Sequence, residues 1–159
     1  TKKNRSPVVN LNLGEVLSGV CHLYVDMLDA FGISIEWNST SNMVMTMRQI
    51  DLESIIINMI TNAFEQVKGR ARRKIRIRFV QRDMDIEMIF EDSGSGVPME
   101  NRKRIFDAFF TTKEEDGIGL GLNIVRDIVA SYHGVTYVTD SEELGGAKFI
   151  AHFEKKEDS

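Results

Sequence analysis

The stretch from residue 51 to residue 67 reads Asp-Leu-Glu-Ser-Ile-Ile-Ile-Asn-Met-Ile-Thr-Asn-Ala-Phe-Glu-Gln-Val. Its apolar residues recur every three or four positions, which is the spacing of one face of an α-helix. They are Leu52, Ile55, Ile56, Met59, Ile60, Ala63 and Val67. The stretch therefore predicts an amphipathic helix over Asp51–Val67 whose apolar face packs against a core.

Two asparagines interrupt this apolar helix. Asn58 and Asn62 are four residues apart, so their side chains lie on the same face. A buried amide without a hydrogen-bond partner costs about 1–3 kcal/mol, so each amide needs solvent or a partner. Either both lie on the solvated edge of the helix, or an amide oxygen completes the shell of a magnesium ion held mainly by phosphates and water. The spacing alone leaves both interpretations open.

The same periodicities predict the elements on either side of this helix. The predicted helices are Leu13–Phe31, a short Met99–Ile105 and Leu120–Tyr132. The predicted strands are Val8–Leu13, Ile33–Trp37, Met43–Met47, Lys74–Gln81, Asp85–Glu91, Val135–Thr139 and Lys148–Phe153. Residues 106–117 show no periodicity and are predicted as a loop. This mixture favours a two-layer α/β sandwich, with one sheet covered by helices on one face.

Length and composition predict a single globular domain. The chain has 159 residues and a formal net charge of -4, which argues against a dedicated nucleic-acid binder. We expect one domain over residues 8–153 and polar tails at 1–7 and 154–159. The basic run Lys68–Lys74 is either a solvated loop or a contact surface. One cysteine and the lack of an apolar run of about 20 residues suit a soluble piece in a reducing cytoplasm.

Two glycine-rich segments could approach a ligand closely. Asp92-Ser-Gly-Ser-Gly-Val-Pro98 follows a predicted strand, and its carboxylate could accept a hydrogen bond from an exocyclic amine. An ordinary strand-to-helix turn explains the same residues equally well. Gly117-Ile-Gly-Leu-Gly-Leu122 opens a helix, where free N–H groups favour phosphate. The glycines lack the spacing and the preceding strand of a dinucleotide-binding fingerprint, and the Gly-Lys-Ser/Thr of a Walker P-loop is absent.

A phenylalanine-rich segment lies between the two glycine segments. It reads Ile105-Phe-Asp-Ala-Phe-Phe-Thr-Thr-Lys113. The aromatics predict an anchored base and the polar residues a moving tip, as in a lid. A hydrophobic cluster beneath a long loop would show the same pattern. Lys113 either meets a phosphate as a point charge or is solvated.

In this order, the four segments resemble the histidine-kinase ATPase superfamily, which also holds ATPase domains of gyrase, mismatch-repair MutL proteins and a class of chaperones. The resemblance covers about Val8 to Phe153. It implies a Bergerat-type fold, in which three helices back a mixed, mainly antiparallel sheet and a lid covers ATP. Within the superfamily, the segment ending Phe110-Thr111-Thr112-Lys113 is typical of bacterial sensor histidine kinases and not of the gyrase branch.

The resemblance also implies roles for single residues. Asn62 would bind Mg²⁺ and Asn58 would assist beside the phosphates. Asp92 would hold the adenine amine, and Gly94 and Gly96 would admit the base. Beneath the lid, the phosphates would lie on Gly117, Gly119 and Gly121. The remaining implied nucleotide contacts are Phe110, Thr112, Lys113, Leu120 and Leu122, with Asn58 and Lys113 also assigned to catalysis.

Asn58 separates two possible activities. Hydrolases and serine kinases of the superfamily usually carry Glu at this position, one turn before the magnesium-binding Asn, where it can act as a base. An amide cannot remove a proton, whereas a phosphoacceptor histidine brings its own nucleophilic nitrogen. Asn58 therefore favours phosphoryl transfer to histidine over the alternative, a conformational ATPase of the gyrase, MutL or chaperone type.

One position departs from the common pattern of histidine kinases, which place a basic residue three after the second asparagine. This chain has Glu65 there, in an Asn-Ala-x-Glu pattern that resembles the nitrogen-regulation and oxygen-sensing subgroup. The departure leaves the phosphate-binding cation open, with Lys113 the preferred candidate.

The phosphoacceptor itself is missing from the sequence. None of the three histidines, His22, His133 and His152, lies in the context of a phosphoacceptor helix. We therefore expect a monomeric domain that binds ATP and Mg²⁺ but does not phosphorylate itself. Its partners would be a phosphoacceptor-histidine dimerisation domain of the same parent protein and a downstream response regulator, and not nucleic acid. The expected location is the cytoplasm, including the cytoplasmic part of a membrane-bound sensor.

Overall fold

The long helices and the strands occur where the periodicity predicts them, whereas one short predicted helix does not form. The computed structural model describes residues 6–38, 40, 42–110 and 121–154. The helices in this part of the chain are α1 (Leu13–Ala30), α2 (Gln49–Val67) and α3 (Gly121–Ser131). The strands are β1 (Val9–Asn12), β2 (Ser34–Trp37), β3 (Val44–Met47), β4 (Lys74–Arg82), β5 (Asp85–Asp92), β6 (Val135–Asp140) and β7 (Ala147–Phe153).

The main sheet has five strands in the order β2-β4-β5-β7-β6. β2 runs parallel to β4, and the other neighbours are antiparallel, so the sheet is mixed and mainly antiparallel as expected. β1 and β3 pair with each other in a separate antiparallel ribbon. The two strands that follow α1 in the sequence therefore join different sheets, and β5 occupies the centre of the larger one.

One face of the main sheet packs against the helices. Alternate residues of β4 and β7 are buried, among them Ile75, Ile77, Phe149 and Phe153. α2 contributes the seven apolar residues that its periodicity marks, all of them buried. The strands alternate apolar and polar residues and α2 has its apolar residues on one face, so the sheet and the helix each contribute an apolar surface to one core. The prediction of a two-layer sandwich is confirmed.

Local signals explain where α1 begins and ends. The side chain of Asn12 accepts a hydrogen bond from the Glu15 amide at 3.1 Å, which caps the first turn. At the other end, Gly32 has a φ of 69°, and the amide of Ile33 donates to the carbonyl of Leu28 at 2.9 Å. A left-handed glycine with a returning hydrogen bond is a common helix terminator.

The short helix predicted over Met99–Ile105 is wrong. Two separate 3-10 turns, Met99–Asn101 and Arg104–Phe106, take its place. Met99 is 75% exposed while Phe106 is buried, so this segment has no continuous apolar face to stabilise a longer α-helix. Among the described residues, no helix is long and apolar enough to cross a membrane.

Candidate functional site

Asp92 is a buried carboxylate at the end of the central strand. Its side chain is 2% exposed, and its Oδ1 accepts hydrogen bonds from the amides of Gly94 (2.8 Å) and Ala147 (3.2 Å). Burial raises the pKa of Asp92, although these two amides and the positive charge of Arg70 act in the opposite direction. Both hydrogen bonds from described groups end on Oδ1, so Oδ2 keeps its accepting capacity.

The turn after Asp92 depends on its glycines for two different reasons. A Cβ on Gly94 would lie 2.9 Å from both Asp92 Oδ1 and the Cβ of Gln66, so only glycine fits between β5 and α2. Gly96 has a φ of 78°, a conformation that side chains disfavour. Arg102 holds the outside of this turn, since its Nε donates to the Val97 carbonyl at 3.1 Å.

Asn62 faces the same region from α2. A small cavity between the helix and the sheet is lined by Asn62 and Asp92, together with apolar residues that include Met59, Phe90 and Phe149. Asn62 is half-buried, and no described residue hydrogen-bonds its amide. The structure thus brings two of the predicted site residues, from different elements, to one cavity.

Asn58 lies one turn earlier on α2, beside the start of α3. Its amide nitrogen donates to the Ser54 carbonyl at 2.7 Å, which turns Oδ1 away from the helix backbone. A Cβ added to Gly121 would lie 3.5 Å from Asn58 Oδ1, so the first residue of α3 adjoins this amide. Two residues of α2 therefore each face a residue of another element. Asn62 lies on the same cavity as Asp92, and Asn58, one turn earlier, adjoins Gly121.

The other predicted site residues do not line the cavity that Asn62 and Asp92 share, or they lie outside the described residues. Leu122 is 7% exposed, and its side chain belongs to the core. Phe110 is half-buried, with the Arg104 guanidinium 5.0 Å from its ring centre. Thr112, Lys113, Gly117, Gly119 and Leu120 lie outside the described residues.

The three phenylalanines do not anchor their segment equally. Phe106 is buried and packs edge-on against Phe149, with ring centres 6.1 Å apart. Phe109 is 71% exposed and has a φ of 65°. The expected aromatic anchor is therefore Phe106, and Phe109 does not contribute to it.

The basic run Lys68–Lys74 is not simply solvated. Arg72 donates to the Leu144 carbonyl at 3.3 Å, and Arg73 donates to the Phe31 carbonyl at 3.0 Å. Lys68 pairs with Glu65 at 2.7 Å. These contacts tie the loop after α2 to the end of α1 and to the turn before β7.

Gly146 and Ala147 contact Asp92 at the start of β7, but neither was predicted as part of the site. The amide of Gly146 donates to the Asp92 carbonyl at 3.1 Å, and the next amide, that of Ala147, reaches the Asp92 side chain. A Cβ on Gly146 would lie 2.3 Å from Asp92 Oδ1. The Gly145-Gly146 pair is visible in the sequence as a turn, but its contact with Asp92 depends on strand pairing.

A buried ionic network supports this turn. Glu91 is 3% exposed, and it accepts hydrogen bonds from Ser141 (2.6 Å), Arg76 (3.0 Å) and Arg78 (2.9 Å). Burial alone would raise the pKa of Glu91, but these three donors outweigh it and hold the pKa below its ordinary value. Arg76 also pairs with Glu143 at 2.6 Å, so the turn between β6 and β7 is attached to β4 and β5.

Comparison with known proteins identifies the family of this arrangement. A family profile described as histidine kinase-, DNA gyrase B- and HSP90-like ATPase matches residues 47–157. The chain belongs to this ATPase family. The resemblance drawn from the four ordered segments is therefore confirmed, and the match includes both asparagines, Asp92 and both glycine segments.

Relatives of this ATPase domain include sensor proteins. The chain is 30% identical over 140 residues to the sensor protein CitS of Halalkalibacterium halodurans, covering 84% of this chain and 26% of the relative. It is 34% identical over 94 residues to an NtrY-like sensor histidine kinase of Rickettsia felis, covering 59% of this chain and 16% of the relative. The chain thus spans about a quarter or less of the length of these relatives.

A solved structure shares the fold of the ATPase domain. The structure of full-length ShkA in complex with AMPPNP superposes with a TM-score of 0.79 at 26% identity. The match covers 93% of this chain and 31% of ShkA. The Bergerat-type arrangement expected from the motifs is confirmed by this agreement and by the three helices on the mixed sheet.

Proposed function

We propose that this domain binds ATP with Mg²⁺ and transfers the γ-phosphoryl group to a histidine on a separate phosphoacceptor domain of the same parent protein. The observation that carries the proposal is the placement of Asp92 and Asn62 on one cavity, with Asn58 and the start of α3 next in line. The sensor histidine kinase among the relatives, and the AMPPNP bound to ShkA, support the same activity.

Asp92 would recognise the base. Oδ1 is held in place by two backbone amides, so Oδ2 is oriented and can accept a hydrogen bond from the exocyclic amine of adenine. Guanine carries a carbonyl at the corresponding position, which cannot donate to a carboxylate. The site would therefore select ATP over GTP, and Gly94 and Gly96 would leave room for the edge of the base.

Asn62 fits a magnesium ion held mainly by phosphates. Mg²⁺ is usually bound by one or two protein oxygens together with phosphate oxygens and water, and the Asn62 amide has no hydrogen-bond partner among the described residues. The ion would neutralise the charge of the phosphate oxygens when it is bound. This chain's own contribution is to orient one amide oxygen toward that charge.

Asn58 and the start of α3 would position the phosphates. The first amides of a helix have no partners within the helix and favour anions, and Asn58 adjoins the first residue of α3. Phosphoryl transfer depends mainly on positioning and charge stabilisation, so the chain needs no residue that removes a proton when the acceptor is a histidine nitrogen. Lys113 and the glycines before α3 would complete the phosphate contacts.

The proposal extends to partners and location. The phosphorylated histidine would pass its phosphoryl group to a response regulator, and the isolated domain would be monomeric. The domain would act in the cytoplasm, on a free protein or on the cytoplasmic side of a membrane-bound sensor.

The first test is ATP binding by calorimetry in the presence and absence of Mg²⁺. Asp92→Ala should abolish ATP binding, and Asn62→Ala should remove the dependence of binding on Mg²⁺. Asp26→Ala is the matched control, since it removes the same charge from an exposed position of α1. If Asp92→Ala binds ATP as tightly as the parent domain, Asp92 does not recognise the base.

The second test supplies the phosphoacceptor. Labelled ATP is incubated with this domain and a separately produced dimerisation domain from the same parent protein. Acid-labile label should appear on the dimerisation domain and not on this chain. Steady ATP hydrolysis without acceptor, lost in Asn58→Ala, would instead support a conformational ATPase of the gyrase type.

A further inference from the structure

We propose that the ends of β5 and β7 form a zinc site, built from His152, Asp85 and Glu154. Among the described residues, their ligand atoms form a group in which all lie within 4.8 Å of one another. Asp85 begins β5 and Asp92 ends it, so the two sites are about 23 Å apart at roughly 3.3 Å per residue. The zinc site is therefore separate from the nucleotide site.

The pairing of β5 with β7 brings these residues together. Glu87 lies directly opposite His152, and Ile86 lies opposite Phe153. Asp85 precedes Ile86 and Glu154 follows Phe153, so the two carboxylates meet at the open end of the same pair of strands. Like charges facing each other across strands are destabilising, and a cation between them would remove that repulsion.

The surrounding charges point to the same conclusion. Three carboxylates, those of Asp85, Glu87 and Glu154, surround one histidine. The nearby described cation is Arg82, which is 3.9 Å from Glu87 and has a side chain that is 75% exposed. Counting the described residues alone, the cluster thus has an excess of negative charge that a divalent ion would balance.

The geometry favours zinc. His152 Nε2 is 3.3 Å from Asp85 Oδ2. Two ligands that are each about 2.05 Å from a tetrahedral zinc ion are separated by about 3.3 Å, so this pair is already at the required spacing. Glu154 is exposed at the end of its strand and has to move only about 1–2 Å to become the third ligand. Water would complete the tetrahedron, as at zinc sites with three protein ligands.

The second nitrogen of the histidine also faces a carboxylate. His152 Nδ1 is 3.7 Å from Glu87 Oε2, and burial, together with the negative charge of Glu87, raises the pKa of the nearby Tyr137. Metal-binding histidines usually direct their other ring nitrogen to a carboxylate, which fixes the tautomer and increases the basicity of the ligand. Glu87 is placed to have this supporting role while Nε2 binds the ion.

The test measures zinc binding to the nucleotide-free domain by competition with a chromophoric zinc chelator. We expect one zinc ion per chain and an affinity at least tenfold lower in His152→Ala and in Asp85→Asn. Glu154→Gln should also lower the affinity, and because Glu154 is exposed at a strand end, it should leave the fold intact. Glu87→Gln should weaken binding about tenfold through the orientation of His152.

His22→Ala is the matched control, since it removes an exposed histidine of α1 that lies outside the cluster. It should bind zinc within about twofold of the parent domain, because the proposed ligands remain. The proposal is overturned if His152→Ala binds zinc as the parent domain does, or if no zinc binds at 100-fold excess over protein. Loss of zinc in Asn62→Ala but not in His152→Ala would place the ion at the nucleotide site and would also overturn it.

Discussion

Gly146→Ala tests the contact that joins the turn before β7 to the buried carboxylate of Asp92. A Cβ at this position would lie 2.3 Å from Asp92 Oδ1, 2.4 Å from the Asp92 carbonyl oxygen and 2.5 Å from the Gly94 amide nitrogen. Carbon contacts are favourable at about 3.5–4.0 Å, so the turn and the end of β5 have to separate by about 1 Å. Two of the three atoms belong to the backbone and cannot turn away.

The size of the effect follows from the bonds that this separation lengthens. The amides of Gly146 and Ala147 both donate to Asp92, at 3.1 and 3.2 Å. Overpacking a core typically costs about 1–3 kcal/mol, and a hydrogen bond to a charged group contributes about 1.5–3 kcal/mol. We expect the free energy of unfolding to fall by about 2–3 kcal/mol. ATP affinity should fall by about 10- to 100-fold, at 1.4 kcal/mol per factor of ten.

Urea denaturation and calorimetric titration with ATP and Mg²⁺ measure the two effects separately. Gly19→Ala is the control, since a Cβ there meets nothing within 4 Å on α1. Alanine in a helix interior should stabilise the fold by about 0.5–1 kcal/mol and leave ATP affinity unchanged. A Gly146→Ala domain with the stability and ATP affinity of the parent would refute the steric argument. Normal stability with weakened ATP binding would show that the turn acts only on the ligand.

Three further predictions concern buried groups. Burial raises the pKa of Asp92 in the folded domain. The free energy of unfolding should therefore fall as the pH rises from the ordinary pKa of an aspartate through the raised pKa of Asp92. Asp92→Asn should therefore unfold at higher urea than the parent at pH 7, with the difference vanishing below about pH 4. Ser141→Ala should lower the free energy of unfolding by about 1–3 kcal/mol, because Glu91 loses a buried donor, whereas Ser131→Ala, at an exposed position, should change it little. Burial raises the pKa of Cys21 to about 12, so a thiol reagent at pH 8 should modify it only in urea; modification at the free-thiol rate without urea would contradict its burial.

Most helices and strands follow from local pattern, but most of the strand partners that are distant in the sequence do not. The periodicity of α2 predicts its whole buried face, and the alternation of β4 and β5 predicts their hairpin. Nothing in Ser34–Trp37 indicates that it pairs in parallel with β4, because that choice depends on where α1 and α2 lie on the sheet. The short helix predicted over Met99–Ile105 was wrong because that segment has no continuous apolar face to stabilise a longer α-helix.

The candidate site shows the same division between local and long-range information. Asp92 and Gly94 are recognisable because an aspartate followed by glycines after a strand is a local pattern. The contribution of Gly146 was not predictable, since it lies far away in the chain and reaches Asp92 only through the pairing of β5 with β7. Alternation placed Glu91 on the face away from the helices, where a solvated side chain is usual, yet two arginines and a serine converge on it.

The central position of β5 has a consequence for how the domain loses its function. Asp92 ends the third strand of five, and the amide protons of Gly94 and Ala147 are bonded to its side chain. Amides that are bonded to a buried group exchange their protons with solvent mainly when the cooperative unit around that group opens. The adenine recognition proposed for Asp92 should therefore persist until global unfolding, and core substitutions remote from Asp92 should weaken it mainly by depleting the native population.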